Sequence, residues 1–257
     1  MRPGRSYRPV EGSPRLLETP RKDRLELWTE AVGELPPVYG ERWTDVDGRR
    51  FRLFEPARSK LAAAVVRGWP GDLPAPGERW LYLGAATGTT VSHVGDLVGP
   101  EGRVYAVERS VRPFGRLLAL ADRWPNLRPI LADAREPESY ASLVPPVNGV
   151  YADIAQADQL EIVVRNAELL LTGDGGALLI ALKTPSMGRE RSAGAHREEA
   201  ERSLASRVAL APSVSLEPFH RGHFMVGGRW GAASRLRLRT DRPTRTPHER
   251  RRGRPAR

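Results

Sequence analysis

The 257-residue chain carries 41 Lys and Arg against 31 Asp and Glu, is 40% apolar, and has no cysteine, which allows one domain with appendages or two small ones and excludes disulfide frameworks and thiolate zinc sites. No stretch approaches the roughly 18 apolar residues of a membrane span, and residues 1–14 are basic and Pro/Gly-rich without the apolar run of a signal peptide, so a cytoplasmic protein is expected. The excess of positive charge sits at the ends: residues 235–257 hold ten arginines against Asp241 and Glu249, whereas residues 31–234 hold equal numbers of both signs, so an anionic partner is expected at the tail rather than at the body.

In chain order, residues 1–14 read as disordered. Residues 15–70 read as a small N-terminal unit and a connecting helix: Asp47-Gly48 is a hairpin signal, the alternating Phe51 to Phe54 follows it, Ser59 suits an N-cap, and Lys60 to Trp69 reads as helical. From residue 71 to 231 short apolar runs alternate with helical stretches. Strands are expected at 80–84, 103–108, 127–132, 149–154 and 176–183. Helices are expected at 89–98, 112–124, 137–143, 159–171 and 197–206, and an antiparallel edge pair at 208–218 and 223–230. That rhythm predicts an α/β fold, a Rossmann-like and mostly parallel sheet. Residues 232–257 read as an Arg-rich disordered tail.

The first strand runs into Gly84-Ala85-Ala86-Thr87-Gly88-Thr89-Thr90. Small residues let a ligand approach the backbone, and the following helix offers free N–H donors. The Gly-x-x-x-Gly spacing departs from the dinucleotide fingerprint. Glu108 ends the second strand, where it can accept from both hydroxyls of an adenosine ribose, and Asp133-Ala134 ends the third, where an adenine amino group would lie. Taken in this order, the three features point to S-adenosylmethionine; the alternative is ordinary strand-end capping.

Only three lysines occur, Lys22, Lys60 and Lys183; arginine stands almost everywhere a positive charge suffices, so Lys60 and Lys183 are candidates for places where a compact or titratable ammonium is needed, with chance as the competing reading and the one adopted for Lys22. Asp153 and Lys183 end strands, Lys60 starts a helix and His223 lies beside the edge hairpin, so all four can converge over the carboxyl edge of the sheet. Such a set suits a hydroxyl nucleophile like the ribose 2′-OH: an ammonium stabilises the developing alkoxide and a carboxylate orients it or takes the proton. Lys183 is assigned as the activating group, Asp153 as its partner or base, Lys60 as electrostatic support, and His223 as a positioning group. A structural ion pair is the competing reading of Asp153 and Lys183.

Val38-Tyr39-Gly40-Glu41-Arg42, Arg58 to Ala63, Leu81 to His93, Asp153-Ile154-Ala155-Gln156, Leu182-Lys183-Thr184, and Leu216 to Phe219 with His223 together resemble the fibrillarin family, in its shorter archaeal form, over roughly residues 15–230. The resemblance implies a catalytic tetrad at Lys60, Asp153, Lys183 and His223, and no metal. It implies that S-adenosylmethionine is held at the Gly84-Ala85 turn, Thr89, Thr90, Glu108, Arg109, Asp133, Ala134 and the run Asp153, Ile154, Ala155 and Gln156. It further implies ribose 2′-O-methylation of rRNA, and of tRNA in archaea, directed by a box C/D guide RNA on a Nop-type scaffold beside a kink-turn-binding ribosomal-type protein. Arg109 replaces an aromatic usual in the family, and Glu55 an Asn. The alternatives are a small-molecule or protein methyltransferase on the same fold, and a non-catalytic ribonucleoprotein subunit.

Overall fold

A computed structural model describes residues 6–22, 24–33, 37–173, 175–188 and 192–231. The expected tail at 232–257 lies outside the described residues.

Five antiparallel strands open the chain: β1 (Arg8–Val10), β2 (Ser13–Arg21), β3 (Arg24–Glu30), β4 (Trp43–Val46) and β5 (Arg49–Phe54), in the order β1-β2-β3-β5-β4. The expected disorder of residues 1–14 is corrected for the part from Arg8 onward, while residues 1–5 lie outside the described residues. Arg8 and Pro9 pair with Glu18 and Leu17, and Tyr7 meets Trp28 edge-on at 6.1 Å, contacts that a polar, Pro-rich composition conceals. The hairpin signal holds: Asp47 and Gly48 both have positive φ, 49° and 76°, the conformation a two-residue turn between strands of this twist requires. Helix α1 (Lys60–Val66) follows; Ser59 caps it by accepting from the Ala62 N–H at 3.3 Å. It stops before the expected Trp69 because Gly68 turns the chain out at φ 81°.

The second unit comprises β6 (Arg79–Leu83), α2 (Thr89–Val98), β7 (Arg103–Glu108), α3 (Val111–Ala121), β8 (Leu127–Leu131), β9 (Gly149–Ala152), α4 (Gln159–Leu170), β10 (Ala177–Lys183), α5 (Ala193–Leu204), β11 (Val208–Leu210), β12 (Val214–Ser215) and β13 (His223–Trp230). The sheet order is β11-β13-β10-β9-β6-β7-β8, with β12 also on β13. Strands β8, β7, β6, β9 and β10 are mutually parallel; β13 is antiparallel to β10. The expected short helix at 137–143 is two 3₁₀ turns, Pro137–Ser139 and Ala141–Leu143. Helix α5 starts at Ala193, four residues before the predicted Arg197, because Ser192 caps it.

The crossover order reverses between β6 and β9, so a crevice opens beyond their carboxyl ends, where ligands bind in open α/β sheets. One face of the sheet packs with Leu16, Leu27, Phe54, Leu61, Val91 and Trp124 in a single core. The N-terminal strands, α1 and α2 are therefore one packed body, and α1 cannot shift without disturbing the crevice.

Candidate active site and cofactor cleft

The crevice is lined by Gly84, Ala86, Glu108 to Ser110, Ala132 to Arg135, Asp153 to Gln156, Val107 and Ile162, and encloses about 220 Å³. Gly84 has φ 83°, and a Cβ there would lie 2.4 Å from the Asp153 carbonyl oxygen, so the two strand ends touch only because no side chain intervenes. Gly88, at φ 90°, caps α2 without a side chain, and no acid stands in the first turn. The positive end of the helix and its N–H groups at Thr89 and Thr90 are left for a ligand. Glu108 accepts from the Ala86 N–H at 2.9 Å on one oxygen and from the Ser110 N–H at 2.7 Å on the other. Each oxygen keeps a second lone pair, so the carboxylate is held in place and can still accept from a ribose diol. The donor set therefore fits S-adenosylmethionine.

Asp133 accepts from the Arg135 N–H at 3.0 Å, and its other oxygen lies 3.7 Å from Arg109 and 3.8 Å from Arg135. Arg109 brings a planar guanidinium to the same rim, a group that stacks on aromatic faces. Thr90 is buried and donates to Ser59 Oγ at 3.1 Å. Its hydroxyl thus ties α2 to the cap of α1, one residue before Lys60.

The structure corrects one assignment in the reaction site. Lys60 Nζ donates to Asp153 Oδ2 at 2.7 Å, so the partner of Asp153 is Lys60 and not Lys183. The reason is topological: α1 delivers its first residue directly over the end of β9. Lys183 is cross-strand to His223, and among the described residues no ion pair reaches its ammonium. Its backbone is fixed by the buried Gln159 side chain, which accepts from the Lys183 N–H at 3.3 Å and donates to its carbonyl at 3.4 Å. His223 Nδ1 donates to the Arg221 carbonyl at 2.9 Å. A carbonyl only accepts, so Nε2 of the neutral ring is a bare acceptor facing away. Burial lowers the pKa of His223, and the charge of Lys60 adds to this, which favours that neutral form.

The sequence reading did not single out Arg135, Gln159 or His220. Arg135 spans the cleft mouth, donating to Asp158 at 2.8 Å twice and to Gln156 Oε1 at 2.9 Å. Because a guanidinium only donates, Gln156 must turn its NH₂ the other way. An Arg two residues after a strand-end acid is the one signal the sequence offers for it. His220 donates to the Pro56 carbonyl at 2.8 Å and meets His223 edge-on at 6.0 Å; its neighbours come from a distant segment and leave no local trace. Below the site, Tyr82 and Tyr151 pack 4.8 Å apart, and burial, with Asp153 adding, raises both phenols, keeping the layer under Asp153 uncharged.

Residues 16–232 match the fibrillarin family model. The fibrillarin-like rRNA/tRNA 2′-O-methyltransferase of Aeropyrum pernix is 43% identical over 191 residues, covering 74% of this chain and 81% of its own. The A. pernix fibrillarin crystallised with natively bound S-adenosyl-L-methionine superposes with a TM-score of 0.76 at 37% identity, over 86% of this chain and 97% of that one. A fibrillarin from a fibrillarin/Nop5p complex gives 0.72 at 37% identity, over 80% and 94%.

Proposed function

The chain belongs to the fibrillarin family, and on that ground we propose that it transfers a methyl group from S-adenosylmethionine to a ribose 2′-hydroxyl of rRNA or tRNA. The observation that carries the reading is the Lys60–Asp153 pair at the end of β9, beside the cofactor crevice, with Lys183 and the acceptor histidine His223 cross-strand from one another on the neighbouring strands.

S-adenosylmethionine, when bound, supplies an electrophilic methyl on a sulfonium. Glu108 and Asp133 would hold its adenosine, and the α2 N-terminus with the 153–156 run would hold its amino-acid end. Asp153 is oriented by Lys60 and by its own backbone, whose N–H donates to the Leu83 carbonyl at 2.9 Å. It stands ready to orient or accept the hydroxyl proton. Lys183 supplies an ammonium for the oxygen as negative charge develops, a role that gains most where water is excluded. Nε2 of His223 accepts from the incoming nucleotide and fixes its approach. A bulk hydroxyl titrates far above neutrality, so this preorganised charge replaces a free base.

The partner is a Nop-type scaffold, as in the complex formed by the Nop5p-bound relative. A box C/D guide RNA selects the nucleotide by base pairing, and a kink-turn-binding protein completes the particle. The near-neutral body supports this: target choice is delegated to other components. The test is labelled methyl transfer in the reconstituted particle, to a matched RNA and to the same RNA with a 2′-deoxy at the guided position. Transfer to the first alone is expected; transfer to both would exclude the ribose oxygen as acceptor.

A further inference from the structure

The tip of the β2–β3 hairpin carries a charge arrangement that the cofactor cleft does not use. Glu26 is buried, and three guanidiniums converge on its carboxylate: Arg42 at 2.5 Å, Arg21 at 3.2 Å and Arg24 at 3.2 Å. Burial pushes the Glu26 carboxyl up, but Arg42 and Arg21 outweigh it and hold the group below its ordinary value, so it stays ionised. Each guanidinium has five N–H donors and gives only one of them to Glu26. Arg42 is further fixed over the Trp28 ring at 5.3 Å. With Lys22 at the same hairpin tip, four cations stand around the Glu26 carboxylate among the described residues. Cations held this close by one carboxylate gain from a further anion.

The cluster borders a concavity of about 640 Å³. Through Arg24, Glu26 and Arg42 this joins a groove of about 400 Å³ that runs past Arg67 to Pro56 and Phe219. Pro56 accepts from His220, which packs on His223. The groove thus ends behind the reaction site. Guanidinium forks match phosphate geometry; with Arg24, Arg42 and Arg67 outnumbering Glu26 and Glu55 and the part-buried Phe219 ring on its wall, the groove has the cation-and-aromatic pattern that tracks a single strand.

We propose that this groove binds the sugar-phosphate backbone of RNA leading to the reaction site, with the hairpin arginines and Lys22 on phosphates and Phe219 against a base. The inference rests on RNA being the substrate. A protein partner would need these charges neutralised by its own acids, and the spare donors on three adjacent guanidiniums favour a repeating anion instead.

The test uses the full chain and compares wild type with Lys22→Gln/Arg24→Gln/Arg67→Gln, which spares the Arg42–Glu26 pair and so the fold. The control is Arg8→Gln/Arg49→Gln/Arg50→Gln, which removes the same charge from the same sheet outside the groove. Binding of a labelled single strand and of a guide–target duplex is followed across a salt series, beside scaffold binding, S-adenosylmethionine binding and thermal unfolding. The groove variant is expected to bind RNA about tenfold more weakly, with its salt slope reduced by about 2, near the 0.7 per phosphate of single strands; cofactor affinity, scaffold affinity and unfolding stay put. The form of RNA that loses more identifies the strand held. Equal losses in groove and control variants, or no loss in either, would overturn the proposal, as would lost scaffold binding with RNA affinity intact, which would make the groove a protein contact. These readouts require no turnover, so absent methyl transfer by wild type would overturn the catalytic reading separately.

Discussion

Helix α2 connects two charged clusters that obey opposite rules. At its body, the fully buried Arg52 lies between Glu41 at 3.0 Å and Asp96 at 2.8 Å and donates to Ser92. Asp96 also accepts from Thr29, from the Val32 N–H and from Trp124, and His93 is bonded to Thr29 and Tyr39 through its two ring nitrogens. This seam joins the N-terminal sheet to the methyltransferase sheet; its charges are paired with one another, with Arg52 Nε and Nη1 at ion-pair distance but not aligned for hydrogen bonds. Near the helix N-terminus, Lys60 and Asp153 form a part-buried pair, Lys183 has no ionic partner among the described residues, and His223 keeps one nitrogen without a partner among them. The buried charges that join the two sheets are spent on one another, whereas the charges assigned to the reaction keep a side open to a substrate.

Breaking the buried cluster should give the largest effect. Arg52→Met strands two buried carboxylates and is expected to cost about 3–5 kcal/mol in urea unfolding, with the double variant Arg52→Met/Asp96→Asn less unstable than the single one. Breaking the open cluster should leave the fold alone. Lys183→Ala is expected to slow single-turnover transfer by about 10²–10³-fold while unfolding is unchanged, and Lys183→Arg should not restore the rate, because a planar fork does not replace a compact ammonium. A fall in stability matching the fall in rate would place Lys183 with the structural charges.

Arg135 lies between the two cases: it is paired with Asp158 and Asp133, yet sits at the cleft. Arg135→Ala should raise KM for S-adenosylmethionine about tenfold, about 1.4 kcal/mol, and leave kcat nearly unchanged. A fall in kcat alone would mean that it serves the RNA side. The smallest effect concerns pH. Burial, with the charge of Arg52 adding, holds the folded-state pKa of His93 well below its ordinary value. As pH falls through about 6.5 the unfolded chain takes up a proton that the folded chain refuses, so stability present above that pH is progressively lost. His93→Gln should flatten the decline of Tm between about pH 7 and 5; an unchanged slope would show that other groups set it.

Much of this was legible in the sequence. The βαβ rhythm, the Asp-Gly hairpin, the Ser59 cap and the acids at strand ends are local signals, and local physics made them readable. What was hidden is tertiary. Nothing near Arg52 announces that it is buried between two acids from separate segments. The alternative partners of Asp153 are residues 93 and 30 positions away, and only the packing of α1 chooses Lys60. The strand at Arg8–Val10 was lost in a basic, Pro-rich composition because its support comes from β2 and Trp28.

The most direct measurement of the central claim is the chemical identity of the product. RNA methylated in the reconstituted particle, digested to nucleosides and resolved by mass spectrometry, should carry its added methyl on the ribose of the single guided nucleotide, with the base unmodified. A methyl on a base, or on a protein of the particle with none on RNA, would contradict the account.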